Sequence, residues 1–310
     1  MSFKRQLKKR RTVPYTIELI VDRWSCLIVR DAFCGIRRFE QFHDSLGIAR
    51  NILSQRLRHL VELGIFENKR YNRFPARFDY QLTEMGWDLY PLIITLTRWG
   101  DQWCCDEKGP PQILRHKTCG ESIIPISICS YCGEALRIRD VTYEPKTKIA
   151  SSHLMVSRKR KLPAREISDD GKPCSVERTL NQLGNRWTFL LLRELFYGST
   201  RFEQFYKEMK ISRSILASRL KELVANGIIV KSRYADTPVR FEYKMTKKGM
   251  DIWPIAIASI RWENRWQAGV DGPPQLLRHK TCSHAFDAVI VCSHCRKEIL
   301  PQDVTYERNY

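Results

Sequence analysis

The sequence predicts a mainly α-helical protein with small β elements, in which one domain plan occurs twice in tandem. The stretch at residues 50–65 recurs at 213–228, and in both copies apolar residues fall at helical spacing. Trp24 matches Trp187, and the same separation of 163 residues carries Gly-Pro-Pro-Gln at 109–112 onto 272–275 without a gap. A repeat this long indicates a pair of whole domains, since solenoid repeats are only about 20–50 residues long.

Composition narrows the class of protein and its partners. The chain has 310 residues, enough for two or more cores, and a formal net charge of +19. Such a surplus predicts a polyanionic partner, most simply nucleic acid. No apolar run approaches the roughly 18–20 residues that span a bilayer, and the N-terminus lacks an apolar signal region. We therefore expect a cytoplasmic protein without a membrane partner, whose eleven cysteines are thiols or metal ligands rather than disulfides.

The repeated stretch predicts a helix over about 48–60 and again over about 211–223. One face is apolar, and the other offers side chains that can read base edges or contact phosphate in a DNA major groove. A solvated amphipathic helix would be the default interpretation of one copy alone. The flanking segments therefore decide between a solvated helix and one that enters a DNA groove. The exposed-face candidates are Arg50, Asn51, Gln55 and Arg58 in copy one, and Arg213, Ser214, Ser218 and Lys221 in copy two.

The flanks favour a winged helix-turn-helix domain. A short helix around 39–46 and a turn at Gly47 precede the central helix, which lets the second helix enter a groove. Two short strands around a Pro-containing loop follow, at 65–71 and 77–82 in copy one and at 228–234 and 240–245 in copy two. Such a hairpin is a wing. Its candidate phosphate contacts are Arg73 and Arg77, and in copy two Arg233 and Arg240.

Further helices frame each domain. Apolar residues from Ile17 to Ile28 predict one helix before the helix-turn-helix, matched by Leu180 to Leu191. After the wing, Thr83 and Thr246 are N-cap candidates for a long helix that ends near Trp103 and Trp266, respectively.

The ordered set of matching residues resembles the HxlR-type winged helix-turn-helix regulators of bacteria. The resemblance covers about 12–108 and 174–271 and implies DNA binding by two copies paired through their terminal helices, here within one chain. Copy one departs from the pattern, with Asp22 where copy two has Asn185, so its sequence preference is expected to differ. The matching residues are Asn185-Arg186-Trp187, Leu192-Arg193-Glu194-Leu195, Arg201-Phe202, Leu216, Ser218-Arg219-Leu220, Gly227-Ile228, Tyr243, Gly249 and Trp262.

A cysteine and histidine pattern follows each long helix, with the spacing His-x2-Cys-x9-Cys-x2-Cys. Four nitrogen and sulfur ligands suit tetrahedral zinc, and the segment has too little apolar mass to fold otherwise. We expect each set to form its own site in a small hairpin, which gives two structural zinc ions per chain. The alternative is a cluster of reduced cysteines. The sets are His116, Cys119, Cys129 and Cys132, and His279, Cys282, Cys292 and Cys295.

These patterns divide the chain into six predicted segments. They are a basic arm (1–11), a first winged helix-turn-helix domain (12–108), a first zinc-ribbon-like module (109–144), a basic linker (145–173), a second winged domain (174–271) and a second module (272–310). The arm and the linker could contact DNA backbone or serve only for solubility and tethering.

One further cysteine is a candidate redox thiol. Many proteins of the HxlR type have a cysteine where Cys174 stands, thirteen residues before Trp187, and some sense oxidants through it. Arg178 and a helix N-terminus could activate Cys174. The alternative is an inert residue at a helix start.

The sequence thus predicts a sequence-specific DNA-binding transcriptional regulator that acts as an intrachain pseudo-dimer and responds through a thiol of its own or to a ligand. The sequence is also compatible with a homodimer of two such chains. The rivals are an architectural protein that coats DNA without sequence choice, and a metal-dependent enzyme. The enzyme is disfavoured, because the sequence offers no catalytic triad, phosphate-cradling Gly loop or open zinc site.

Overall fold

A computed structural model describes residues 16, 19, 22–72, 77–105, 107, 109–145, 174–183, 186–268 and 273–308. The predicted basic arm, Arg73 and all of the predicted linker except Pro145 lie outside the described residues. None of the helices in these ranges has the length and apolar character needed to cross a bilayer.

Copy one contains the predicted helix-turn-helix and wing. Gly47 ends the second helix in the left-handed conformation, with φ of 57°, which glycine adopts without steric cost. The elements are α1 (Arg23–Phe33), α2 (Phe39–Leu46), α3 (Arg50–Glu62), β1 (Phe66–Asn72), β2 (Arg77–Leu82), α4 (Glu84–Trp87), α5 (Tyr90–Trp103), β3 (Gln112–His116), β4 (Pro125–Cys129), a 3-10 turn (Ile138–Asp140) and β5 (Val141–Pro145).

After the linker, copy two begins with one further helix, α6, and then repeats this order. Its wing has a shorter loop than the predicted 235–239, because Asp236 pairs with Val239 across the hairpin. The elements are α6 (Ser175–Leu183), α7 (Arg186–Phe196), α8 (Phe202–Met209), α9 (Arg213–Ala225), β6 (Ile229–Asp236), β7 (Val239–Met245), α10 (Lys247–Met250), α11 (Trp253–Trp266), β8 (Gln275–His279), β9 (Ala288–Cys292), a 3-10 turn (Pro301–Asp303) and β10 (Val304–Arg308).

Two helix predictions need correction. The predicted single helix from Leu180 to Leu191 is two elements, α6 and α7. Thr83 does cap a helix, since its hydroxyl accepts a hydrogen bond from the Gly86 backbone N–H at 3.2 Å, but this helix is the short α4. The long helix starts again at Tyr90, with Pro91 in its first turn. Proline cannot donate a hydrogen bond to the preceding turn, which interrupts the helix.

The two copies pack on each other through their terminal helices. α6 lies against α5, so closely that a Cβ on Gly100 would stand 2.1 Å from the carbonyl oxygen of Ser175. Buried side chains of both copies belong to one apolar cluster. Paired indole bonds cross the interface: Trp99 donates to the carbonyl oxygen of Lys248 at 3.1 Å, and Trp262 donates to that of Met85 at 3.0 Å.

The strands of the two modules pair between copies. β3 pairs with β10, β5 with β8, and β4 with β9, all antiparallel. Each module was expected to be a hairpin of its own, and that expectation is wrong, because in all three sheets each strand has its partner in the other copy. In the central sheet Ser127 faces Ile290, which is the residue that the 163-residue repeat matches to it. A pseudo-twofold axis therefore passes between these two residues and relates the halves.

Candidate nucleic-acid interface and metal centres

The two central helices, α3 and α9, have one buried face and one exposed face. Leu53, Leu57 and Leu60 are completely buried in α3. Their counterparts in α9, Leu216, Leu220 and Leu223, are also buried. All eight predicted DNA-reading residues are exposed: Arg50, Asn51, Gln55, Arg58, Arg213, Ser214, Ser218 and Lys221. Their exposure meets the first requirement for groove contact, while contact with DNA stays a prediction.

A glutamate of the preceding helix holds the first arginine of each central helix. Both guanidinium nitrogens of Arg50 lie 2.7 Å from the carboxylate oxygens of Glu40. Those of Arg213 lie 2.8 and 3.1 Å from Glu203. Arg213 also lies over the ring of Tyr206, 4.5 Å from its centroid. These paired hydrogen bonds hold each guanidinium group in a defined orientation at the N-terminal end of its central helix.

Glu40 and Glu203 are not among the residues that the sequence predicted for this interface. The signal was present, because the repeated Phe-Glu-Gln-Phe motif places each glutamate ten residues before its arginine. The arginine side chains remain 60% and 59% exposed. Solvent therefore screens the ion pairs, and a phosphate or a base can replace the carboxylate.

The wings carry the other predicted contacts. Arg233 and Arg240 are exposed on the β6–β7 hairpin. Nε of Arg233 also lies 2.8 Å from a carboxylate oxygen of Asp236, so this side chain is tied to its own wing. Arg77 is the first residue of β2.

The eight predicted metal ligands form two clusters, but not the expected ones. His116 and Cys119 meet Cys292 and Cys295, and Cys129 and Cys132 meet His279 and Cys282. The expected sets within each module are therefore wrong. The strand pairing described above brings the first ligand pair of each copy to the second pair of the other.

The donor geometry fits a four-coordinate metal. In the first cluster Sγ of Cys119 lies 3.7 Å from Nδ1 of His116 and 3.9 Å from Sγ of Cys292, and Sγ of Cys295 lies 3.2 Å from the same Nδ1. Tetrahedral zinc with bonds of about 2.0–2.3 Å sets its ligand atoms roughly 3.5–3.8 Å apart. The donor atoms of each cluster all lie within 4.8 Å of one another. Both clusters could therefore hold a metal ion.

The second cluster has the same construction. Nδ1 of His279 lies 3.3 Å from Sγ of Cys132 and 3.6 Å from Sγ of Cys282, and the sulfurs of Cys129 and Cys282 are 4.0 Å apart. Cys132 is exposed, whereas Cys129 and His279 are buried. One edge of this cluster therefore faces solvent.

Cys174 immediately precedes α6 and contacts the other copy. Its sulfur accepts a hydrogen bond from the Glu177 backbone N–H at 3.4 Å and lies 2.5 Å from Nη1 of Arg30. The predicted helix N-terminus is thus in place. The neighbouring cation is Arg30 rather than Arg178, which instead donates to the carbonyl oxygen of Cys104 at 3.5 Å.

A cavity of about 360 Å³ opens beside this thiol, between the halves. Arg30, Cys34 and Tyr306 are among its lining residues. At the pseudo-symmetric place around Arg193, Tyr197 and Tyr143 the cavity is only about 120 Å³. A tyrosine at position 197, where copy one has Cys34, accounts for part of the difference.

Comparison with known proteins identifies the helix-turn-helix regions. The HxlR-like helix-turn-helix family matches residues 19–108 and 182–270, more than half of the chain. An uncharacterized HTH-type transcriptional regulator of Mycobacterium tuberculosis is 49% identical over 145 residues, which are 46% of this chain and 92% of the relative. YdeP of Bacillus subtilis, another uncharacterized HTH-type transcriptional regulator, is 34% identical over 115 residues, 37% of this chain and 90% of YdeP.

Two solved structures are also similar to parts of the chain. Diamide-treated YodB from B. subtilis is 32% identical with a TM-score of 0.25, over 27% of this chain and 85% of YodB. The redox regulator HypR in its reduced form is 30% identical with a TM-score of 0.29, over 30% of this chain and 92% of HypR.

Proposed function

Because this chain belongs to the HxlR-like helix-turn-helix family of DNA-binding transcriptional regulators, we propose that it binds DNA sequence-specifically as a pseudo-dimer within one chain. The observation that carries the proposal is the pairing of two exposed helix faces, on α3 and α9, around the pseudo-twofold axis at Ser127 and Ile290. Two such helices read half-sites about one helical turn, roughly 34 Å, apart.

The two half-sites are expected to differ. Copy one offers Asn51 and Gln55, whose amides can form paired hydrogen bonds with adenine. The same positions in copy two are Ser214 and Ser218, whose hydroxyls are less selective. The preferred DNA is therefore an imperfect palindrome.

Selection of bound duplexes from a random-sequence pool tests this function. We expect an enriched site with two unlike halves and retention against random-sequence competitor at physiological salt. Arg213→Ala should lower affinity about tenfold and relax preference at one base position of one half-site. Arg50→Ala is the matched variant and should relax the other half-site. Equal loss on every sequence would assign both arginines to phosphate contact and favour architectural coating.

We also propose that both clusters hold zinc and that it is structural. Three thiolates and one imidazole suit zinc, and four protein ligands leave no open position for a reacting water. This closed set supports a regulator rather than a metal-dependent enzyme. Metal analysis of the purified chain should give two zinc ions, and zinc with an exchangeable water ligand would contradict this assignment.

A thiol response is proposed for Cys174. A thiolate there would face the Arg30 guanidinium and the N-terminus of α6, both of which stabilise negative charge. Iodoacetamide tests this: the thiolate attacks the methylene carbon and displaces iodide. With zinc bound, Cys174 should alkylate first at neutral pH, while Cys26, whose pKa burial raises to about 12, should stay unmodified. If Cys174 does not react, the proposed sensor role is wrong and Cys174 is an inert residue at a helix start.

A further inference from the structure

The two candidate metal clusters lie between the halves of the chain. Each cluster takes a His-x2-Cys pair from one module and a Cys-x2-Cys pair from the other. We propose that the bound metal ions act as clasps between the halves, and that metal occupancy thereby controls the spacing of the central helices α3 and α9, here called the recognition helices, and the affinity for paired half-sites. This inference rests on the proposed DNA-binding function.

Each ligand pair lies on a small turn that is complete by itself. The His116 backbone N–H donates to the carbonyl oxygen of Glu121 at 3.0 Å, and the Cys129 backbone N–H donates to that of Glu134 at 2.9 Å. These bonds shape the turns, and the two turns of the second cluster also meet directly through the stacked rings of Tyr131 and His284, whose centroids are 3.6 Å apart. A metal ion in each cluster would join a turn of one copy to a turn of the other through four bonds.

The clasped strands contact both long helices at their starts. β10, which pairs with the strand that ends at His116, places the hydroxyl of Tyr306 3.2 Å from that of Tyr90 in α5. By the pseudo-symmetry, the hydroxyl of Tyr143 in β5 accepts a hydrogen bond from the Trp253 indole in α11 at 2.6 Å. A change in the clasps therefore reaches the first turn of each long helix.

Those first turns connect directly to the DNA-reading units. Thr83 caps α4, which precedes α5, and the Thr83 hydroxyl donates to the carbonyl oxygen of Gly64 at 2.6 Å, just after α3. Thr246 makes the same bond to Gly227 after α9, at 2.7 Å. Each recognition helix is thus fixed to its long helix by a short segment, and the clasps add to the indole hydrogen bonds and strand pairing that hold the long helices relative to each other.

Double variants distinguish crossed clasps from sites within each module. Cys119→Ser with Cys295→Ser removes two ligands of one crossed cluster, so one metal ion per chain should remain. Cys119→Ser with Cys132→Ser damages both clusters, so none should remain at high occupancy. Sites within each module would give the opposite counts. Cys34→Ser, outside both clusters, is the control and should keep two ions.

A measurement on the unsubstituted chain does not depend on whether the variants fold. The chain is loaded with ¹¹³Cd in place of zinc, and proton–cadmium correlations assign ligands to each ion. Cys119 and Cys292 should correlate with the same cadmium, and Cys129 with the other. A cadmium shared by Cys119 and Cys129 would overturn the clasp.

DNA-binding titrations then test whether the bound metal ions control the affinity for paired half-sites. Duplexes carrying the selected paired site, or one half-site of it, are titrated with metal-loaded and chelator-treated protein. Loss of metal should lower affinity for the paired site about tenfold or more, toward that of the half-site, and should change half-site affinity little. An equal loss on both duplexes contradicts control through spacing. A protein that binds neither duplex when loaded would refute the proposed function, while the metal counts would still test the clasps.

Discussion

Replacing Asp101 by asparagine should stabilise the folded chain at neutral pH. Asp101 is in the last turn of α5, and its carboxylate accepts a hydrogen bond from the Ser175 hydroxyl at the start of α6, across the interface between the halves. Burial raises the pKa of Asp101 from 3.8 to about 6, although Ser175, Arg98 and Arg178 act in the opposite direction. The folded state therefore disfavours the charged form of this carboxyl group.

The size and the sign of the effect follow from this pKa. A rise of about two pKa units corresponds to about 3 kcal/mol, which partial exposure of the side chain reduces to about 2 kcal/mol. Since the folded pKa is the higher one, the stabilising contribution is complete below about pH 4 and is lost as pH rises through about 6. Asparagine does not ionise, so its contribution does not change with pH. Asp101→Asn should therefore be more stable than the original chain above pH 6 and should differ little from it below pH 4.

Urea unfolding of the two zinc-loaded proteins at several pH values measures the difference. The variant should exceed the original chain by about 2 kcal/mol at pH 8, and the difference should shrink toward acid pH. Comparison at equal pH removes the effect of acid on metal binding, which both proteins share. A difference that is independent of pH, or a variant that is less stable at pH 8, would refute the assigned pKa shift.

The second copy supplies a matched control. Asn264 occupies the position that corresponds to Asp101, and its amide donates to the Gln275 carbonyl oxygen at 2.7 Å. Asn264→Asp would place a carboxylate against that oxygen in a buried site. The free energy of unfolding should fall by about 2–3 kcal/mol at pH 8, opposite in sign to the change at Asp101.

Four further substitutions have defined outcomes. Gly100→Ala should cost about 3 kcal/mol in urea unfolding, because the added carbon meets the Ser175 carbonyl oxygen at the packed interface; an unchanged midpoint would contradict this packing. Ser127→Ala should raise stability by roughly 1 kcal/mol, since its buried hydroxyl has no hydrogen-bond partner in the described part of the chain; a loss would indicate a bound water. Leu216→Ala should cost about 2–5 kcal/mol, whereas Ser218→Ala on the exposed face should weaken DNA binding and leave thermal unfolding within about 0.5 kcal/mol.

The helix-turn-helix and wing could be predicted from local pattern. Leu53 and Leu57 are four residues apart, a spacing that places both on one helical face whatever surrounds them. Gly47 and the Pro-containing loop mark turns through their own backbone preferences. The boundaries were less predictable: Pro91 divides a helix whose apolar pattern looks continuous, and the β6–β7 loop is shorter because its register continues to Asp236.

The sequence by itself determined which eight residues are candidate metal ligands and that the chain contains two helix-turn-helix units, because spacing and periodicity are properties of short segments. Only the tertiary structure decided which ligands share a cluster. Both copies present the same ligand spacing, so Cys119 could be matched with Cys129 or with Cys292 at equal chemical cost. Strand pairing across the axis at Ser127 and Ile290 selects the crossed sets. In the same way, packing of the halves placed Arg30 beside Cys174, a contact between residues far apart in sequence that no local pattern contains.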